Sequence, residues 1–245
     1  MHAPAMTATI ERRLLVNYRA DPEILARLLP EPFRPQLVAG FGLAGICLIR
    51  LDGLRPAAIP RRLGLTAENA AHRVAVEWDT AEGVRTGVYI PRRDTSSRLI
   101  AIAGGRLFPS VHQLASFQVE EHGGRYRVAL AALDGGTHVR VEASVAADLP
   151  SGSVFGSLAE ASRFFRQGAI GWSATARPGV YDGVELDTPV WKMEPARLEA
   201  VESSFFDDPG RFPPGTAEPD SVLLMRDLPS RWLARGRVAV DSDAR

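Results

Sequence analysis

Alternation of apolar and polar positions dominates the chain. Over residues 72–78, Val74, Val76 and Trp78 fall on one side of an extended segment and Arg73, Ala75 and Glu77 on the other, the period of two that a half-buried strand requires. A turn at Glu82-Gly83 joins it to a partner over residues 85–90. From Leu114 the pattern becomes a meander: Phe117 to Val119, a turn at His122-Gly123-Gly124, a strand over 125–133, a turn at Asp134-Gly135-Gly136, and a strand over 137–145. In the last of these Val139, Val141, Ala143 and Val145 alternate with Arg140, Glu142 and Ser144, which predicts an antiparallel sheet with one wet face. The apolar run 43–51 predicts a buried strand. Shorter strands are expected near 184–190, 197–203 and 221–226, with proline-rich 209–219 as the loop between the last two.

Helices are few. Asp21 can cap a helix that starts at Pro22, carries Ile24, Leu25, Leu28 and Leu29 on one face and stops at Pro30. Asp94 or Thr95 is expected to cap a second, through Leu99, Ile100 and Ile102 toward Gly104-Gly105. Ser157 and Glu160 have capping-box spacing for a third, through Phe164-Phe165 to Gly168. Many antiparallel strands with a few helices predict an α+β, mainly antiparallel β protein built as one closed or half-closed β-barrel.

Composition narrows this picture. With 245 residues, 45 % hydrophobic and 24 % charged, the chain can bury a sizeable core. Neither a linker nor an internal repeat divides it, so residues 1–245 are expected to form a single domain. Its 29 basic and 29 acidic residues cancel without a block of like charge, which gives no support for nucleic acid or an anionic membrane as partner. No apolar run approaches the roughly 20 residues of a membrane span, and the start of the chain lacks a signal-peptide pattern. A cytoplasmic location is expected. Cys47 is the only cysteine, so no disulfide within the chain is available; its apolar neighbours Ile46, Leu48 and Ile49 mark it as a buried small hydrophobe.

Several motifs carry less chemistry than their spelling suggests. Gly40, Gly42 and Gly45 match G-x-G-x-x-G, but strand-forming residues 46–51 follow, where a nucleotide fingerprint needs a helix. Close backbone approach is the expected role of these glycines. The histidines His2, His72, His112, His122 and His138 lack the short spacings of zinc sites, so neither metal nor cofactor is expected. Ser153 sits one place too early between Gly152 and Gly156 for a nucleophile elbow. All but one of the basic residues are arginine, and Lys192 is the single lysine. Arginine stays charged where a buried lysine can lose its proton and attack.

Two segments carry a more specific likeness. Asn17-Tyr18-Arg19-Ala20-Asp21, followed by a helix and Leu28-Leu29-Pro30-Glu31-Pro32, resembles the opening of the acetoacetate decarboxylase family. The run from Gly104-Gly105-Arg106 through Phe108-Pro109 to His112-Gln113-Leu114-Ala115 resembles that family's approach to its catalytic lysine pair. Between them, Leu65-Thr66-Ala67-Glu68 resembles the segment bearing an active-site glutamate, and Gly87-Val88-Tyr89 the central strand. The ordered set covers roughly residues 10–145 and is most similar to an uncharacterised branch without the lysines.

The resemblance implies an acetoacetate-decarboxylase-like β-barrel with a few peripheral helices, and membership of a family that often forms homo-oligomers. In that family a lysine, activated by desolvation and a neighbouring cation, forms a Schiff base with the substrate ketone. Here the lysine positions fall on His112 and Gln113, neither of which can form an imine with a ketone. What the resemblance leaves is a pocket for a small organic acid. Arg19 would hold the carboxylate, with Gln113 a further ligand-binding residue. Glu68 or His112 would move a proton in an enolisation, hydration or dehydration. Arg19 and Glu68 pairing merely to satisfy each other, and a non-catalytic metabolite-binding or structural descendant, are the alternative readings.

Overall fold

The computed structural model describes residues 4–105, 109–175 and 177–239. Strand makes up 59 % of the described residues and helix 11 %, so the sheet is the architecture and the helices decorate it. The strands are β1 (Met6–Ala20), β2 (Arg34–Pro35), β3 (Leu37–Val38), β4 (Phe41–Pro56), β5 (Leu65–Thr80), β6 (Gly83–Thr95), β7 (Gln113–His122), β8 (Arg125–Ala132), β9 (His138–Val145), β10 (Ile170–Ala174), β11 (Val180–Asp187), β12 (Glu194–Ser203) and β13 (Ala217–Ala239). The helices are α1 (Pro22–Leu28), α2 (Arg98–Ala103) and α3 (Leu158–Gln167). No helix among the described residues is long and apolar enough to cross a membrane.

One mostly antiparallel sheet runs in the order β11-β10-β6-β7-β8-β9-β12-β13-β1-β4-β5-β2, with extra pairings β6–β5 and β11–β13 that return it on itself. The result is a ring-like sheet closed by two routes. Its central wall, β13-β1-β4-β5, is covered on both faces. Leu14, Val16 and Tyr18 of β1 point into one core with Ile46, Leu48, Val74 and Val76, completed by Val128, Leu130, Val139 and Val141 of the meander. Leu15 of β1 points into a second core with Cys47, Ala71, Ala75, Leu223 and Met225, completed by Ile90, Leu186 and Phe165. Burial on both faces explains why residues 14–16 and 43–48 read as unbroken apolar runs rather than alternating ones.

Local signals account for the turns and most helix ends. Gly123 and Gly124 form the two-residue link between paired His122 and Arg125 at φ +57° and +78°, a backbone that twists with the strands and that glycine adopts without strain. Asp21 accepts from the Glu23 and Ile24 amides at 2.8 and 3.3 Å. Ser157 accepts from the Glu160 amide at 3.2 Å, while the Glu160 carboxylate reaches back to the Gly156 amide at 2.9 Å, one residue earlier than a capping box requires. The cap of α2 differs from expectation. Ser97 accepts from the Ile100 amide at 3.3 Å, whereas Asp94 and Thr95 are the buried end of β6. Gly42 and Gly45 lie within β4, where a side chain at Gly45 would collide with the Val16 carbonyl.

Candidate functional site

The second core is not filled. Two adjoining cavities, of about 160 and 120 Å³, open between the wall and β6, β10 and β11 and share Ile49, Asn69, Arg93, His112, Val184 and Trp232. These volumes suit a small metabolite rather than the drug-sized ligands of ~300–1,000 Å³ pockets. Strand register builds the polar wall. Arg13 of β1 pairs with Ile49 of β4, and Ile49 with Asn69 of β5. In the next row but one, Cys47 pairs with Ala71 and Ala71 with Arg93 of β6, and Arg73 stands two residues beyond Ala71. Because alternate residues share a face, Arg13, Cys47, Asn69, Arg73 and Arg93 converge on the cavity.

Charge there is one-sided. Among the described residues, no aspartate or glutamate lines either cavity. Arg13, Arg73 and Arg93 have no carboxylate within salt-bridge distance among the described residues, while many other arginines do, including Arg12, Arg34 and Arg50. Arg73 is 3 % exposed, donates to Asn17 Oδ1, sits 4.8 Å from the Phe165 ring centroid and leaves Nε without a partner. Burial lowers its pKa to about 10, and burial does the same to Arg93, which donates to Ser173 Oγ at 3.2 Å. Among the described residues, the acceptors for the Arg13 guanidinium are sulfurs: Cys47 Sγ at 3.4 Å and Met225 Sδ at 3.5 Å. Guanidinium groups remain cationic at neutral pH, so the cavity carries positive charge with no counter-ion among the described residues, a state that an anion would relieve.

His112 reaches the same space from the segment after α2. Its Nδ1 lies 3.3 Å from the Ser110 carbonyl. That carbonyl can only accept, so Nδ1 carries the hydrogen and Nε2 keeps its lone pair. Burial, then the charge of Arg93, pushes the imidazole down to about 3, leaving it neutral. Ser110 itself is buried with φ +92°, a backbone region that costs an L-residue about 1–3 kcal/mol and tends to occur at functional sites. Residues 106–108 of the family-like run lie outside the described residues.

The other expected site residues stand elsewhere. Glu68 is held by Arg12 and, at 3.5 Å, by Arg50; it points to the opposite face from Asn69 and lines neither cavity. Arg19 bonds Glu218 at 2.7 Å and the Gly152 carbonyl at 2.9 Å. It lies seven residues along β1 from Arg12, about 23 Å at ~3.3 Å per residue, so Arg19 and Glu68 do not meet. Gln113 is exposed and lines a neighbouring groove with Arg92, Arg93 and Ser173. Lys192 has a side chain 71 % exposed, with Glu194 at 3.7 Å. The arginines that do converge were missed because Arg73 reads as the wet side of an alternating strand; its neighbours Ala71 and Ala75, too small to cover a solvent-facing sheet, were the available signal.

The ring-like, mostly antiparallel sheet is the fold of solved acetoacetate decarboxylases and decarboxylase-like enzymes. Acetoacetate decarboxylase from Legionella pneumophila superposes with a TM-score of 0.66 at 12 % identity, covering 98 % of this chain and 89 % of that one. An acetoacetate decarboxylase-like enzyme from Sphingomonas wittichii gives 0.62 at 16 % identity, covering 98 % and 94 %. The enduracididine biosynthesis enzyme MppR, solved with pyruvate, gives 0.62 at 14 % identity, covering 98 % and 91 %. At these identities the likeness is one of fold. The chain itself belongs to the family DUF2071, described as an uncharacterized conserved protein, whose model matches residues 7–227. No curated protein sequence matches it.

Proposed function

We propose that this protein binds a small organic acid in the cavity of the second core, with its carboxylate on Arg73 and Arg93 and Arg13 close by. Carrying the reading is one observation: among the described residues, three guanidinium groups without carboxylate partners face a cavity that no acidic residue lines. Charged hydrogen bonds from arginine suit a carboxylate, and a dry cavity strengthens them. The pyruvate held by MppR belongs to the same chemical class.

Acid–base chemistry on the bound acid falls to His112. With Nδ1 engaged by Ser110, Nε2 is the nitrogen left to accept a proton, and a bound anion offsets the Arg93 charge that, after burial, depresses it. Enolisation, hydration or dehydration of a keto or unsaturated acid is the reaction class. Gln113 would contact ligand at the neighbouring groove. Glu68 supports the wall through Arg12, and Arg19 braces the far end of β1. Binding without chemistry is the second reading, favoured by how far His112 is depressed in the empty cavity.

A thermal-shift panel of keto, hydroxy and unsaturated acids tests binding, since a ligand specific for the folded state raises its melting temperature. Hits lost in Arg73→Met and Arg93→Met support the site; hits unchanged in both sink it. NMR in deuterated water then follows exchange at the acid's α-carbon. Exchange that His112→Ala abolishes without loss of binding supports catalysis, and no exchange in the wild type leaves the binding reading alone.

A further inference from the structure

We infer that Cys47 is a nucleophilic thiol that captures small electrophilic carboxylates, acids whose carbon–carbon double bond is conjugated to a carboxyl or oxo group. This rests on the carboxylate reading of the cavity. Cys47 lines the cavity from β4 alongside Arg13, Arg73, Arg93 and His112, and its sulfur is the acceptor for Arg13 Nε at 3.4 Å. The thiolate is the attacking form of cysteine, and neighbouring cations are what make a cysteine reactive rather than inert. A separate observation points to a ligand in the same space: Arg73, 3 % exposed, has an Nε with no hydrogen-bond partner. Its place two residues beyond Ala71, which pairs with Cys47, puts it diagonally across from the thiol, one strand away. A carboxylate on Arg73 would therefore present its double bond toward Sγ.

The step balances without an oxidant. Sulfur forms a bond to the β-carbon, the π pair of the double bond moves to the α-carbon, and the α-carbon takes up one proton. The thiol releases one proton, to His112 Nε2 or to water. The net change is addition of S–H across the double bond, so the adduct's mass is that of protein plus acid.

Charge-selective alkylation tests the placement. Iodoacetate and iodoacetamide transfer similar groups to sulfur with loss of iodide and differ in charge. In the folded protein the rate ratio of iodoacetate to iodoacetamide at Cys47 should exceed that of the urea-unfolded protein by about tenfold or more, as expected for an anion beside buried cations. Arg93→Met should lower the ratio, and butyrate should slow iodoacetate more than iodoacetamide. Fumarate should give an adduct at Cys47, seen by intact mass and peptide mapping and absent from Cys47→Ser. Equal ratios in folded and unfolded protein, or no fumarate adduct, overturn the inference. Should small acids still raise the melting temperature in that event, the thiol assignment fails while the carboxylate site stands; should they not, both fail. The folded-to-unfolded ratio uses the native chain, so it decides the question even where a variant does not fold.

Discussion

Arg12 of β1 and Glu68 of β5 form an ion pair across β4, with side chains only 2 % and 12 % exposed. Glu121 also accepts from Arg12, so the carboxylate expected to move protons neutralises a buried cation instead. Glu68→Gln should destabilise the fold by about 1–3 kcal/mol, the range for weakening a buried charged contact when a second partner remains. It should leave acid affinity within about twofold, because the side chain is outside the cavity. Urea melts and calorimetric titration check the two halves.

Arg73→Met and Arg93→Met should behave in the opposite way. Each removes a desolvated charge, so the empty protein should lose little stability or gain some. Acid binding should fall by about tenfold or more for each, the value of a charge-assisted hydrogen bond. Melting temperatures with and without ligand separate the effects.

Stability should depend on pH through the histidines. His72 is 1 % exposed, stacked on Phe205 at 4.7 Å and pushed down to about 3 by burial, then by Arg92 and Arg211; His112 is pushed to about the same value. Below pH ~6.5 the unfolded chain binds protons that the folded one refuses until about 3, so stability is full above 6.5 and falls as pH drops through that window. Urea melts from pH 7 to 4 should show the decline, and His72→Phe should flatten it.

Acid affinity should rise over the same range if His112 touches the ligand. A bound carboxylate favours the imidazolium, so binding takes up a proton and strengthens from pH 7 to 5. Titrations in buffers of different ionisation enthalpy measure that uptake. His112→Ala should abolish it.

Lys192 should prove inert as a nucleophile. Its side chain lies in solvent beside Glu194 and lines neither cavity. Borohydride reduction in the presence of acetoacetate or pyruvate should leave the mass unchanged; an adduct at Lys192 would reinstate imine chemistry. Arg19→Ala, at an exposed pair with Glu218, should shift stability by no more than about 1 kcal/mol and leave acid binding intact.

Much of the fold was legible because its signals are local. Asp21-Pro22 starts α1, Gly123-Gly124 turns β7 into β8, and alternation through residues 139–145 identifies β9. Strand ends were less so: β13 reaches from Ala217 to Ala239, far past the apolar core of residues 221–226, because pairing with β1 and β11 holds its polar part. The site was half legible. His112 reaches the cavity from the run that resembles a lysine site, whereas Arg13, Arg73 and Arg93 looked like surface charges.

The single lysine and the pair His112-Gln113 are facts of sequence, and they limit what nucleophiles the chain can offer. Alternation likewise put Arg73 opposite Val74 and Val76. Which face met water was decided by the sheet closing on itself twice, since period-two patterning tells the faces of a strand apart without saying what covers each. Closure buried the arginine face, and register over four strands brought Arg13, Cys47, Arg73 and Arg93 around one space. They lie 20 to 80 residues apart in the chain, so only the tertiary structure could make a site of them.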